Sequence, residues 1–169
     1  MPRRKGPDEI YRNMSAIRSA DTRAERLLRS ALHARGLRFR KNAGTVLGRP
    51  DIVFQRPKVA VFIDGDFWHG RRVREEGPGY LRSGKMRNRA YWEAKFGRNI
   101  ARDDYVSATL RRGGWLVIRR WESDVARQPE RLASVIERAV RRRQMARSNG
   151  KSEISRRRRP AMSVSRISN

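Results

Sequence analysis

The chain contains no cysteine, which excludes a disulfide framework and any thiolate metal site. Acids are sparse, 17 Asp and Glu against 42 basic residues, and only six of those 42 are lysine. Histidine occurs twice, at His33 and His69. No stretch is apolar enough to span a bilayer, and the opening MPRRKGPDEIYRN does not run into the hydrophobic segment of a secretory signal. A soluble cytoplasmic protein is therefore the expectation, with no membrane partner. What the chain does have is arginine. A formal net charge of +25 and a pI near 11.8 call for a polyanionic partner, nucleic acid first. The planar guanidinium suits phosphate and base edges, although a GC-rich genome produces the same bias through its codons.

A length of 169 residues accommodates one domain with a real core plus tails. From Arg138 onward eleven basic residues accompany a single acid, Glu153, so this end carries +10 and leaves +15 on residues 1–137. Residues 144–169 read as a basic, disordered tail that holds phosphate non-specifically, 21–143 as the folded domain, and 1–20 as an arm with a short helix near Asp8–Ile17. Within the domain, Thr22 and Glu25 stand at capping-box spacing and open a helix that stops at Gly36. Strands are expected at LRFRK from Leu37, DIVF from Asp51, VAVFID over Val59–Asp64 and WLVIRRW from Trp115. A loop is expected from Gly70 to about Arg87, and helices over Arg89–Arg112 and from Pro129 to about Arg143. Helices flanking a small central sheet make the class α/β.

The chemistry concentrates in VAVFIDGDFWHG, residues 59–70, where a buried-looking apolar run ends abruptly in acids, aromatics and a histidine. Pro50 and Asp51 open one strand and Asp64 closes the next. If the two strands are neighbours, their carboxylates converge at one sheet edge. Like charges that close repel unless a proton or a cation lies between them. A hard divalent ion such as Mg²⁺, which takes about six oxygens at roughly 2.0–2.1 Å and retains water, suits so sparse a site.

A PD pair followed about a dozen residues later by an acid at a strand end is similar to the PD-(D/E)XK nuclease pattern, with Asp66 where that pattern has lysine. More specifically, RNMSAIRSADTRAE, GRPDIVF, VAVFIDGDFWHG, YWEAKFGRNIARD and GWLVIRRWE, in that order, resemble the very short patch repair (Vsr) DNA mismatch endonucleases over residues 11–137. The resemblance implies a restriction-endonuclease-like α/β fold with a small mixed sheet, and a bacterial enzyme that uses Mg²⁺ to nick one strand of a mismatched duplex at T·G, leaving a 5′-phosphate. It implies Asp51 as the metal-binding aspartate, the Ile63 carbonyl as a second ligand, His69 as the catalytic histidine and Glu25 as an acid reaching the metal cluster. Asp64, at a position occupied by histidine or aspartate in the family, is expected to ligate directly. Phe67, Trp68 and Trp92 match aromatics that wedge into the base stack, where a mismatched step costs less to open. Lys95, Arg98 and Asn99 align with a DNA-approaching segment, and Arg49 precedes the PD pair. Further mismatch-repair proteins are candidate partners, and a monomer is expected.

The resemblance breaks where family members carry a structural zinc. The stretches GDFWHGRRV and RRWESD offer no cysteine and only His69, so no structural zinc is expected and an ion pair of Asp66 with Arg71, near Ser123, is expected in its place. Several residues also have plainer readings. Glu25 is the third residue of a capping box, Asp64-Gly65 is a turn signal, and a tryptophan such as Trp92 on an amphipathic helix commonly packs. Trp115 and Trp121 read as core and His33 as surface. Two rival functions remain open: a related nicking or restriction-type endonuclease with different or no mismatch selectivity, and a DNA-binding protein that does not cut.

Overall fold

The computed structural model describes residues 21–77, 79–82 and 88–157. The expected helix near Asp8–Ile17 and the last twelve residues of the tail lie outside them. Helix α1 (Arg23–Ala34) has the capping box anticipated from its sequence: the Thr22 side chain accepts from the Glu25 amide, and Glu25 reaches back to the Thr22 amide. Strands β1 (Arg40–Lys41), β2 (Ile52–Phe54), β3 (Val59–Asp64) and β4 (Leu116–Trp121) form one sheet in the order β1-β2-β3-β4. The first two junctions are antiparallel and β3 pairs with β4 in parallel, so the sheet is mixed. Helices α2 (Arg71–Glu76) and α3 (Gly79–Arg82) follow β3, α4 (Arg89–Arg112) precedes β4, and α5 (Glu122–Arg127) and α6 (Pro129–Arg157) end the described part of the chain.

Alternation along β3 separates two cores. Val59 and Val61 face Leu28 and Leu32 of α1 and Ile136 and Val140 of α6, while Ala60 and Phe62 face Val106 and Leu110 of α4. Each fully buried Val, Leu or Ile contributes about 1.5–3 kcal/mol, so this three-layer packing supplies a rigid platform for the end of β3. Asp64 continues the Ala60–Phe62 alternation and therefore faces α4.

Three expectations differ from what forms. The LRFRK strand shrinks to Arg40–Lys41, because Leu37 is drawn into the core and Phe39 stacks on exposed His33 with ring centroids 4.6 Å apart. The loop expected from Gly70 contains two short helices. Arg71 pairs with Glu75 and Arg72 with Glu76 at helical spacing, which offsets the lack of an apolar stripe. The closing helix does not stop near Arg143 but continues to Arg157, since arginine, glutamine, methionine and alanine all favour helix. Of the tryptophans assigned to the core, Trp115 and Trp121 are half-buried.

Candidate active site

The β2–β3 hairpin folds so that Asp51, just before β2, and Asp64, the last residue of β3, come to the same sheet end. Asp51 is fixed by a 2.7 Å hydrogen bond from the Ile63 amide to its Oδ2. The turn leading to it depends on Gly48, whose φ of +76° suits glycine and whose absent Cβ would stand 2.5 Å from Val106 Cγ1. Without a side chain at Gly48, the Pro50–Asp51 corner can lie against α4.

On the α4 face the parallel register sets Arg119 beside Phe62, and the guanidinium lies over that ring at 4.7 Å from its centre. Arg119 Nε and Nη2 donate to the two oxygens of Asp64 at 2.7 and 2.6 Å, and Nη2 lies 3.1 Å from Asp103 Oδ1. The other Asp103 oxygen is 2.6 Å from His69 Nδ1. Burial opposes the charge on Asp103, but His69 and Arg119 together hold its carboxyl below the ordinary range; burial likewise opposes the charge on Arg119, and Asp64 and Asp103 more than restore it. These groups line a cleft of about 360 Å³ with Arg74, Asp104 and Arg111 at its rim. Asp103 keeps the proton on Nδ1, which leaves Nε2 as the basic nitrogen. A second groove, of about 620 Å³, lies at the opposite end of β3 beside Arg56, Lys58 and Arg147, with no acid or imidazole among the described residues that line it.

Asp51 sits in different surroundings. Its carboxyl pKa is pushed up to about 6, chiefly by burial, with the negative charges of Glu25 and Asp64 adding to the rise against the Ile63 hydrogen bond. No basic side chain pairs with it among the described residues. A partly buried carboxylate whose charge two neighbouring acids oppose is a position that a hard divalent cation fits, since the ion would restore the charged form. Glu25 is committed otherwise: its oxygens accept from the amides of Thr22 and Asp21 and from Arg29. It reaches Asp51 through its charge. Asp64, expected to ligate a metal directly, has both oxygens on Arg119.

Four aromatic rings cluster beside this cleft: three lie edge to face with Phe67, and Trp92 stacks on Phe96. Phe67 lies 5.3 Å from Trp68, 5.0 Å from Trp92 and 5.6 Å from Phe96, and Phe67 is 45% exposed. The ammonium of Lys95 caps Trp68, Tyr91 and Trp92 at 5.2–5.7 Å. Arg49 and Arg98 are exposed, whereas Asn99, expected to approach DNA, donates at 2.8 Å to the Trp68 carbonyl and so anchors the aromatic turn. Gly70 closes that turn with φ +65°.

The anticipated Asp66–Arg71 pair is present at 2.8 Å. Asp66 also accepts from the amide and hydroxyl of Ser123, while Arg71 donates to Ser123 and Asp124 and lies over the Trp121 ring. This network ties the loop after β3 to the start of α5. With no cysteine and these partners in place, the residues do not fit a structural zinc.

Two residues central to the cleft, Asp103 and Arg119, escaped the sequence reading. The signal for Asp103 is its position on the buried stripe of α4, seven residues after Phe96 and seven before Leu110. An acid on a core-facing stripe demands a partner. Arg119 stands in a strand whose neighbours Val117 and Ile118 are both buried, a weaker signal of the same kind.

Comparison with known proteins gives this cleft a family. The family model of the DNA mismatch endonuclease Vsr matches residues 6–75, the part that contributes Glu25, Asp51, Asp64 and His69. A type II nicking enzyme of Neisseria meningitidis serogroup C is 40% identical over 139 residues, covering 82% of this chain and 90% of its own. One from Haemophilus parainfluenzae is 37% identical over 137 residues, 79% of this chain and 92% of that enzyme. The DNA mismatch endonuclease Vsr of Escherichia coli is 34% identical over 111 residues, 66% of this chain and 67% of its own. Carboxylates and a histidine at one sheet end, in a strongly basic chain with this likeness, identify a DNA endonuclease that belongs to the Vsr family.

Proposed function

We propose that the chain uses a divalent cation, Mg²⁺ in the cell, to nick one strand of duplex DNA at a T·G mismatch, leaving a 5′-phosphate. The observation that carries this reading is the placement of a half-exposed aromatic cluster beside an oriented histidine and an unneutralised, partly buried aspartate. Asp51, with the main chain of Ile63, would hold the ion. When bound, such an ion offsets charge developing on the phosphate and on the leaving 3′-oxygen. His69, with its proton held on Nδ1 by Asp103, receives a proton from the attacking water at Nε2. Phe67 and Trp68 enter the weakened stack at the mismatch, Trp92 supports them from α4, and Arg49, Lys95 and Arg98 contact the phosphates. Other mismatch-repair proteins are the natural consumers of the nick.

The relatives named as type II nicking enzymes favour a second reading, the same chemistry with a different target preference. One assay separates the two: nicking of an end-labelled duplex, T·G against fully matched, with Mg²⁺ or EDTA, by the native protein, His69→Ala and Asp51→Ala. Cutting confined to the mismatch and lost in both variants and in EDTA supports the first reading. Equal cutting of both duplexes discards the mismatch and keeps the nuclease. Binding without cutting overturns both.

A further inference from the structure

We propose that Arg119 is a built-in cation of this site: its guanidinium fills the space between Asp64 and Asp103 that a second divalent ion would otherwise take, so the site holds one ion, at Asp51. The inference rests on the nuclease reading above for what the site does, but not for how many ions it binds.

One oxygen each of Asp64 and Asp103 and one ring nitrogen of His69 lie within 4.8 Å of one another, a spacing at which a metal ion could sit. Both aspartates are buried, at 6% and 5% exposure, so two bare carboxylates there would repel each other strongly. Arg119 resolves this by occupying both oxygens of Asp64 and one of Asp103. Weaker contacts from Nη1 reach the Asp103 carbonyl at 3.4 Å and Ser107 Oγ at 3.5 Å, and the Phe62 ring closes one side. The guanidinium is thus held from several directions, and an ion entering the trio would have to displace it.

Stability is a poor explanation for such an arrangement, because a buried ion pair typically does no better than an apolar pair of the same size. What it does provide is a positive charge that needs no dehydration and no threshold concentration, fixed where the carboxylates would otherwise demand a metal. It also holds one Asp103 oxygen, so that the other faces His69. Asp51 has Glu25 and Asp64 nearby and, among the described residues, no guanidinium paired with it, and is the carboxylate left for an ion.

The test counts ions on the full chain without DNA, by electron paramagnetic resonance of free Mn²⁺. The native protein should bind one Mn²⁺. Arg119→Met should bind two, and adding Asp64→Asn to that variant should return the count to one. A second ion on the native protein, or a single ion on folded Arg119→Met, overturns the proposal. Should Arg119→Met fail to fold, the native protein alone still decides: nicking should rise with the first power of Mn²⁺ concentration, and a second-power dependence refutes it. Where Arg119→Met folds, millimolar Mn²⁺ should recover its nicking at least tenfold, and Arg119→Lys should keep a count of one. Failure of the nuclease reading would look different, since the native protein would then not nick in any metal while the counts still stood.

Discussion

His69 Nδ1 lies 2.6 Å from Asp103 Oδ2, although 34 residues separate them and they arise from different elements. One comes from the turn after β3, the other from the buried stripe of α4. The contact engages Nδ1 and leaves Nε2 as the ring nitrogen free of Asp103.

Asp103→Asn preserves the shape of that contact but can present an N–H to Nδ1, which would move the ring proton to Nε2. Single-turnover nicking should fall by about 10²–10⁴, in the range seen when an orienting carboxylate is lost beside a catalytic histidine. DNA affinity should change less than threefold. Rates and gel-shift affinities measured together decide the matter, and a variant cutting at near-native rate would show that His69 needs no orienter.

Asp51→Asn should separate stability from activity. The folded pKa of about 6 lies above the ordinary value of 3.8, so the native state binds this proton more tightly than the unfolded chain. The favourable contribution is complete below about pH 4 and gone once pH has risen through 6. Replacing the carboxyl with an amide should therefore raise stability at pH 7–8, by at most about 3 kcal/mol at 1.36 kcal/mol per pKa unit, and leave it unchanged near pH 4. Nicking should be abolished. Mg²⁺ should raise the melting temperature of the native protein but not of the variant, a comparison that thermal melts at two pH values with and without the ion provide.

The parts of this site that could be read from sequence are those whose signals are local. The capping box at Thr22 and Glu25, the apolar run ending at Asp64-Gly65 and the helical span Arg89–Arg112 all formed at the expected places. The Asp66–Arg71 pair, five residues apart, is anticipated by the resemblance, because these residues stand where the family carries its zinc ligands. Arg119 meets Asp64 across 55 residues, and nothing in either segment announces the other. Glu25 shows the opposite hazard, since a local capping role fully accounts for its oxygens. The first short helix after Gly70 was hidden because ion pairs, not hydropathy, mark it.

Phe67→Ala and Trp68→Ala should lower discrimination between T·G and matched duplexes without lowering the residual rate on matched DNA. Stacking of a base on an aromatic ring is worth about 1–3 kcal/mol, so each change should cost roughly 5- to 150-fold in mismatch preference. Competition assays with both duplexes in one tube read this directly. Equal losses on the two substrates would assign the rings to loop packing instead.

The clamp built on Asp66 should behave as a structural substitute for a metal. Asp66→Ala removes the acceptor for the Ser123 amide at 3.0 Å, for its hydroxyl at 2.7 Å and for Arg71 at 2.8 Å. Lost hydrogen bonds that include a charged one suggest about 1–3 kcal/mol, or roughly 2–12 °C in melting temperature for a domain this size. Although burial pulls the other way, Ser123 and Arg71 hold the Asp66 carboxyl below its ordinary range, so its contribution is present above pH 4 and lost as pH falls through the lowered value. The gap between native and variant melting temperatures should accordingly be full at pH 7 and narrow as the pH is taken from 5 toward 3. A zinc chelator should move neither. If chelation instead lowers the native melting temperature, a metal shares this position and the clamp is not what holds the His69 loop to α5.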